Sequence, residues 1–161
     1  MGDWLAVSGG QGKTGTARLL APMLDAAGLR LTVTELTAGD TCESAPLAGV
    51  WLNGDRHPAA WQGGIAVGFL DEPEVAAALA AHPGRTIGFT LDIPPSGCVG
   101  LVEDILVDRT GEGDATELGV LADLHPETVH DIVNALAAAS LALACGAGPD
   151  AIRAGLRAHR T

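Results

Sequence analysis

Short apolar runs alternate with helix-like segments along the first half of the chain. Such runs, bounded by glycine or polar residues, predict buried strands. The predicted strands are Trp4–Ser8, Leu31–Leu36, Ala48–Leu52, Gly64–Phe69 and Thr86–Thr90. A hairpin is predicted at Val99–Leu101 and Ile105–Asp108, turning through "VEDI", and a further strand at Leu118–Leu121.

Helical periodicity and end signals predict four helices. They are Lys13–Ala27, which stops at Gly28, then "DEPEVAAALAAHPG", Pro126–Cys145 and "PDAIRAGLRAH". The third of these has Val129, Ile132, Val133, Leu136 and Leu143 on a 3.6-residue period, which predicts one apolar face. Strands alternating with helices predict an α/β fold of three layers. In it, a mostly parallel sheet has helices on both faces and an antiparallel hairpin extension at one edge.

Composition and charge narrow the possible partners. The length suits a single domain over residues 1–161, and 47% hydrophobic residues predict a folded core. The formal net charge of −11 argues against nucleic acid or an anionic membrane surface as a partner. Cys42, Cys98 and Cys145 lack metal-ligand spacing. Because the start has no signal-peptide pattern and no stretch could span a bilayer, we expect a cytoplasmic protein.

The segment "SGGQGKT", residues 8–14, joins the first predicted strand to the first predicted helix. Glycines let the backbone curl around an anion, and the N–H groups and dipole of a helix start attract phosphate. The residues expected to bind the nucleotide are Gly9, Gly10, Gln11, Gly12, Lys13 and Thr14. Lys13, the only lysine, would reach the terminal phosphates, and the Thr14 hydroxyl would ligate Mg²⁺.

This loop makes the predicted fold one of the P-loop type. However, Val7 stands where the strict eight-residue pattern has glycine, so only the shorter G-x-x-G-K-T form is met. The alternative is a glycine-rich turn that merely connects two elements.

Both ends of the chain resemble the central ATPase domain of Mur ligases. "WLAVSGGQGKTGTARLLAPMLDAAGLR" resembles the opening of that domain, where a T-G-T-N-G-K-T-type loop is usual. "HPETVHDIVNALAAASLALACGAGPDAIRAGLRAHR" is similar to the family's H-N-x-x-N-A-L-A-A-A helix and the "AI-R-GL" segment after it. "GRTIGFTL" and "DILVDRT" also resemble strands late in the domain. Within the family, the MurD type, which adds D-glutamate, is the closest.

The resemblance implies ATP-dependent amide bond formation through an acyl phosphate, with release of ADP. It assigns Lys13 to the phosphates, and Thr14 and Glu35 to Mg²⁺, the alternative for Glu35 being an ordinary solvated strand-end acid. His130 and Asn134 match residues near the adenine and, being four apart, share one helix face. A capped, half-exposed helix start is the alternative for that pair.

Several positions depart from the family pattern. Gly10 and Gln11 replace the loop threonine and asparagine, and Gly15 replaces the second threonine after the lysine. The segment "WLNGDRHPAAW" is a candidate for a degenerate form of the family's N-x-x-x-D-H-x-D motif, in which Asp55 or His57 would be a metal ligand. Its spacing differs from the family's, and a surface turn is the alternative.

Further departures concern catalysis. No lysine follows Lys13, so the family's carbamylated lysine cannot form, and the chain between Leu36 and Gly64 is shorter than in the family. Domains for the UDP-sugar substrate and for the incoming amino acid are missing from the sequence. We therefore expect a reduced ATP- and Mg²⁺-binding domain that cannot ligate alone and that supplies or regulates a partner chain. The alternatives are a MurD-like ligase acting with separately encoded domains, and a pseudoenzyme that binds partners but no nucleotide.

Overall fold

The computed structural model describes residues 4–9, 11–36, 45–53, 64–111 and 113–158. The strands are β1 (Trp4–Ser8), β2 (Thr32–Leu36), β3 (Ala48–Trp51), β4 (Ile65–Phe69), β5 (Thr86–Phe89), β6 (Cys98–Val102), β7 (Ile105–Asp108) and β8 (Thr116–Val120). The helices are α1 (Lys13–Ala26), α2 (Pro73–Ala81), α3 (Leu121–Leu124), α4 (Val129–Ala144) and α5 (Pro149–Ala158). Within the described ranges, no helix is long and apolar enough to cross a membrane.

The strands form one eight-stranded sheet in the order β2-β1-β3-β4-β5-β6-β7-β8. All neighbours from β2 to β6 pair in parallel, whereas β6–β7 and β7–β8 pair antiparallel. The predicted α/β class, with its mostly parallel sheet and antiparallel hairpin extension, is therefore confirmed. The parallel strands follow one another through crossovers, which carry the carboxyl ends of β1 to β6 to the same edge of the sheet.

Helices cover both faces of this sheet, as predicted. Val7 and Val50, on one face of β1 and β3, belong to the main core cluster together with Leu136 of α4, and α1 and α5 pack beside α4. On the other face, Ala66 of β4 packs with Val75 of α2. Successive side chains of a strand point to opposite faces, so the short apolar strands serve two cores at once.

Helix α4 is more deeply buried than its periodicity predicts. Every residue from Ala135 to Ala142 is buried, whereas Val129, placed on the predicted apolar face, is 51% exposed. The alanines leave the helix thin enough to contact both the sheet and α1. The single-face prediction was wrong because small side chains allow burial on all sides. The one polar group in this stretch, the Ser140 hydroxyl, donates to the Leu136 carbonyl at 2.7 Å.

The segment between the last strand and α4 also differs from the prediction. The last strand ends at Val120, and Leu121, predicted as strand, begins the unpredicted short helix α3. That helix ends at His125, whose φ of 53° is left-handed. Helix α4 then begins at Val129 rather than Pro126, because the Asp131 carboxylate accepts the backbone N–H groups of Glu127 and Thr128 at 2.8 and 3.2 Å.

Helices α1 and α5 approach each other closely at Gly155. A β-carbon there would lie 2.7 Å from the backbone nitrogen and 2.8 Å from the Cα of Met23. We expect Gly155→Ala to lower the free energy of unfolding by about 1–3 kcal/mol, since backbone atoms must move apart. Urea denaturation measures this. Gly111→Ala is the control, because nothing lies within 4 Å of the added carbon. Equal stability of the two variants would contradict the close packing of these helices.

Candidate functional site

The glycine loop leaves β1 at the sheet edge where the parallel strands end, which is where open parallel sheets bind their ligands. Gly9 and Gly12 have φ angles of 143° and 92°, conformations that residues with a side chain rarely adopt. Gly10, also predicted to bind, lies outside the described residues. The loop glycines are therefore required by the path of the backbone at both described positions.

Helix α1 begins directly after this loop, and its N-cap residue is Gly12, which has no side chain to cap it. Among the residues that the structure describes, no side chain forms a cap hydrogen bond there. The first N–H groups of a helix have no partner within the helix and carry the positive end of its dipole. An anion placed at the loop would supply the missing acceptors.

Lys13, Thr14 and Glu35 lie together beside this helix start. The Lys13 ammonium donates to the Leu36 carbonyl, at the end of β2, at 3.3 Å. The Thr14 hydroxyl donates to the Glu35 carboxylate at 2.9 Å. Glu35 pairs with Val7 in the β1–β2 register, so it lies next to the loop that follows β1. Its side chain is exposed.

The Thr14 and Glu35 oxygens fit a hard divalent cation. Mg²⁺ holds octahedral oxygen ligands at 2.0–2.1 Å, so two adjacent ligands are about 3 Å apart. The Thr14 and Glu35 oxygens are already separated by 2.9 Å. The described part of the chain contains no group of three or more His, Cys, Asp or Glu that could hold a metal. Two protein oxygens leave the other positions of an octahedral ion to be filled by further groups, for which phosphate oxygens and water are suitable. Asp55 and His57, the other predicted metal ligands, lie outside the described residues.

Asn134 of α4 rests directly on the loop and the first turn of α1. A β-carbon on Gly12 would lie 2.8 Å from its Oδ1, and one on Gly15 would collide with its Nδ2. Thr16 donates to the same Oδ1 at 3.4 Å. The glycine at position 15, which departs from the family loop, thus makes room for Asn134. His130, one turn earlier on α4, is exposed.

A cleft of about 290 Å³ opens beside Asn134, between α1, α3 and the start of α4. Its lining residues are Gly15, Leu19, Leu124, His125, Glu127, Asp131 and Asn134. His130 does not line it, although its position on the helix suggested that it would lie beside Asn134. His125 and Asp131 were not predicted. The end of α3 brings His125 to the cleft, and Asp131 lies there because it is three residues before Asn134 on α4.

Asn53 was also missed. Its side chain accepts the Gln11 backbone N–H and donates to the Gln11 carbonyl, both at 3.2 Å. Two signals were available: Asn53 supplies the asparagine of the segment compared with the N-x-x-x-D-H-x-D motif, and it directly follows the predicted strand Ala48–Leu52, which lies beside β1 in the sheet.

Asp71 joins the ends of two neighbouring strands. Its carboxylate accepts the Thr90 hydroxyl at 2.5 Å and the Leu91 N–H at 3.1 Å, which connects the ends of β4 and β5.

The two described cysteines are protonated. Burial raises the pKa of the Cys98 thiol and raises that of Cys145 to about 11. Neither of these two cysteines is a thiolate near neutral pH, so neither is an activated nucleophile.

Comparison with known proteins identifies relatives along almost the whole chain. No protein-family model matches it. It is 34% identical over 96% of its length to the UDP-N-acetylmuramoylalanine–D-glutamate ligase of Thermobifida fusca. It is 35% identical over 98% of its length to the enzyme of that name from Streptomyces avermitilis. The chain spans 44% of the length of each relative. The first alignment covers 210 positions, so that relative carries residues within the matched region that this chain lacks.

Solved structures share the fold at low sequence identity. One is the UDP-N-acetylmuramoylalanyl-D-glutamyl-2,6-diaminopimelate–D-alanyl-D-alanyl ligase from Acinetobacter baumannii, with a TM-score of 0.68, 20% identity, and coverage of 96% of this chain and 45% of that one. A pseudomurein peptide ligase type C from Methanothermus fervidus has a TM-score of 0.66, 15% identity, and coverage of 96% and 48%. An FPGS–AMPPCP–folate complex has a TM-score of 0.61, 14% identity, and coverage of 99% and 63%.

Proposed function

We propose that this chain, a shortened domain of the Mur ligase family, binds ATP together with Mg²⁺ at the loop between β1 and α1. The observation that carries the proposal is the uncapped start of α1, flanked by the Lys13 ammonium and by the Thr14–Glu35 pair. A positive helix end, a cation and two hard oxygen ligands together match a nucleotide phosphate with its metal.

Each part of this arrangement has a separate task. The first N–H groups of α1 and the Lys13 ammonium would hold the phosphates, since both offer hydrogen-bond donors beside positive charge. Thr14 and Glu35 would hold Mg²⁺ through their 2.9 Å oxygen pair. The metal would neutralise phosphate charge, which matters in a chain of net charge −11.

The base would occupy the cleft beside Asn134. Its volume of about 290 Å³ accommodates a purine ring, and its lining combines apolar Leu19 with the amide of Asn134. An asparagine amide can both donate to and accept from an adenine edge. His130 would remain at the rim of this site. The solved FPGS complex of the same fold contains AMPPCP, an ATP analogue, which supports a nucleotide as ligand.

We further propose that the domain contributes ATP binding to amide bond formation of the kind its relatives' names describe, and that it cannot form the amide alone. Two observations support this. The chain spans 44% of the relatives' length, and no lysine follows Lys13. Substrate-binding parts would come from other sequence or from a partner chain. A ligase acting with separately encoded domains is the second candidate, favoured by the 34% identity to named ligases.

The first prediction concerns nucleotide binding. Isothermal titration of the chain with ATP and Mg²⁺ should show saturable heat, and Lys13→Ala should weaken binding tenfold or more, about 1.4 kcal/mol, because a charge-assisted contact is lost. Arg18→Ala is the matched control, because it removes the same charge from an exposed position of the same helix. Absence of heat from the wild-type chain at millimolar ATP would favour the pseudoenzyme alternative.

A second prediction concerns Glu35. Glu35→Gln keeps a carbonyl oxygen for Thr14 but removes the charge that holds a divalent cation. Binding of ATP with Mg²⁺ should weaken about tenfold or more, whereas metal-free ATP binding should change little. Glu74→Gln, an exposed change on α2, is the control. If Glu35→Gln leaves the Mg²⁺ dependence untouched, Glu35 is an ordinary surface acid.

A third prediction concerns ligation. Given UDP-N-acetylmuramoyl-L-alanine, D-glutamate, ATP and Mg²⁺, the chain alone should form no UDP-N-acetylmuramoyl-L-alanyl-D-glutamate detectable by mass spectrometry. The reason is that ligation needs groups that bind both substrates and align them for reaction, and we propose that this chain lacks those groups. Product above the level of a Lys13→Ala control would show that the chain is a complete ligase.

A further inference from the structure

Asn53 continues the pairing of β1 with β3 beyond the ends of both strands. The last backbone bond between these segments runs from the Leu52 N–H to the Ser8 carbonyl at 3.0 Å. One residue later, the Asn53 carboxamide bonds both backbone groups of Gln11 at 3.2 Å. A carboxamide carries one acceptor and one donor group, so it can replace the two backbone groups that a neighbouring strand would offer.

Glycine at position 9 favours this close approach of the loop to Asn53. A β-carbon on Gly9 would lie 3.1 Å from the Leu52 Cβ and 3.2 Å from the Asn53 carbonyl oxygen. Side chains rarely fit at such distances, and the φ of Gly9 is positive as well. Gly9 and Asn53 therefore act together: Gly9 permits the close contact, and Asn53 makes the hydrogen bonds.

The position of Gln11 explains why this contact matters for a ligand. Gln11 immediately precedes Gly12, the N-cap of the uncapped helix α1. Fixing the peptide groups of Gln11 fixes the approach of the chain to the N–H groups that open α1. The contact with Asn53 also gives the Gln11 N–H and carbonyl hydrogen-bond partners within the protein. Neither group therefore needs a new partner when an anion binds.

We infer that Asn53 is a positioning residue, which holds the glycine loop ready for phosphate before a ligand binds. This inference rests on the proposed binding of ATP with Mg²⁺ and adds a residue to that site. A loop ordered in advance loses less conformational freedom on binding, and the ligand is then bound more tightly. Both printed bonds of the Asn53 side chain go to the Gln11 backbone, so a loss of affinity should be accompanied by faster exchange of the Gln11 amide.

The experiment compares Asn53→Ala and Asn53→Asp with the wild-type chain. Affinity for ATP with Mg²⁺ is measured by titration, and exchange of the Gln11 amide hydrogen by NMR without ligand. Asn53→Ala should speed Gln11 exchange at least tenfold and weaken binding about tenfold, because both hydrogen bonds are lost. Asn53→Asp loses the donor to the Gln11 carbonyl but keeps an acceptor for the Gln11 N–H, so Gln11 exchange should speed up by less than in Asn53→Ala. Because the added negative charge by itself repels phosphate, only a loss of affinity accompanied by faster Gln11 exchange supports the inference. Exchange of the Ile87 and Phe89 amides in β5 reports whether each variant is folded.

The outcomes separate this inference from the proposed function. If the wild-type chain binds no ATP with Mg²⁺, the proposed function and the inference are both wrong. If the wild-type chain binds and folded Asn53→Ala binds within twofold of it, or its Gln11 exchange is unchanged, only the inference is wrong. Should Asn53→Ala prove unfolded by β5 exchange, Asn53→Asp decides: faster Gln11 exchange together with weaker binding supports the inference, and undiminished affinity or unchanged Gln11 exchange overturns it.

Discussion

The pairing of β1 with a parallel strand on each side is the constraint on which the candidate site depends. On one side the register sets Val7 beside Glu35, and on the other it sets Ser8 beside Trp51. The buried Ser8 hydroxyl reinforces the second pairing by donating to the Val50 carbonyl at 2.8 Å. A slip of one residue in either pairing would turn alternate side chains to the opposite face. It would separate the loop from Glu35 or from Asn53.

Small residues set the distances between the helices that surround this strand. Glycine at position 15 leaves space for Asn134, and glycine at position 155 lets α5 lie against the backbone of Met23 in α1. The alanines of α4 extend the same principle through the core, where that helix packs against the sheet and α1. The glycine and alanine content of the chain therefore serves close packing as well as loop flexibility. Because close-packed interiors transmit displacement, a change at Asn134 is coupled to the core behind it.

Much of the fold could be read from the sequence, because short apolar runs and helix end signals are local. The loop and the strand-end position of Glu35 followed from such local patterns and from family resemblance. Asn53 belongs to the segment compared with the N-x-x-x-D-H-x-D motif, but its contact with Gln11 could not be predicted, since that contact depends on β3 being the neighbour of β1 and neither segment specifies the strand order. The full burial of α4 was not predicted for a similar reason. Periodicity predicts one buried face, but it does not show that small side chains let other elements pack against the remaining faces. The four-residue spacing puts His130 and Asn134 on one helix face, but it does not show how far packing against that face extends toward the helix start, where His130 is exposed.

The two halves of the site rest on parts of the sheet that differ in stability. The loop follows β1, which has a hydrogen-bonded strand on both sides, whereas Glu35 lies on β2, the terminal strand in the observed order. A terminal strand is held by one ladder only, and most of β2 is partly or fully exposed. Separating β2 from the sheet therefore costs less free energy than separating β1 from it. On gentle warming, β2 would therefore separate before β1. Under the proposed function, the contribution of Glu35 to metal binding would be lost at a lower temperature than the contribution of the glycine loop to phosphate binding.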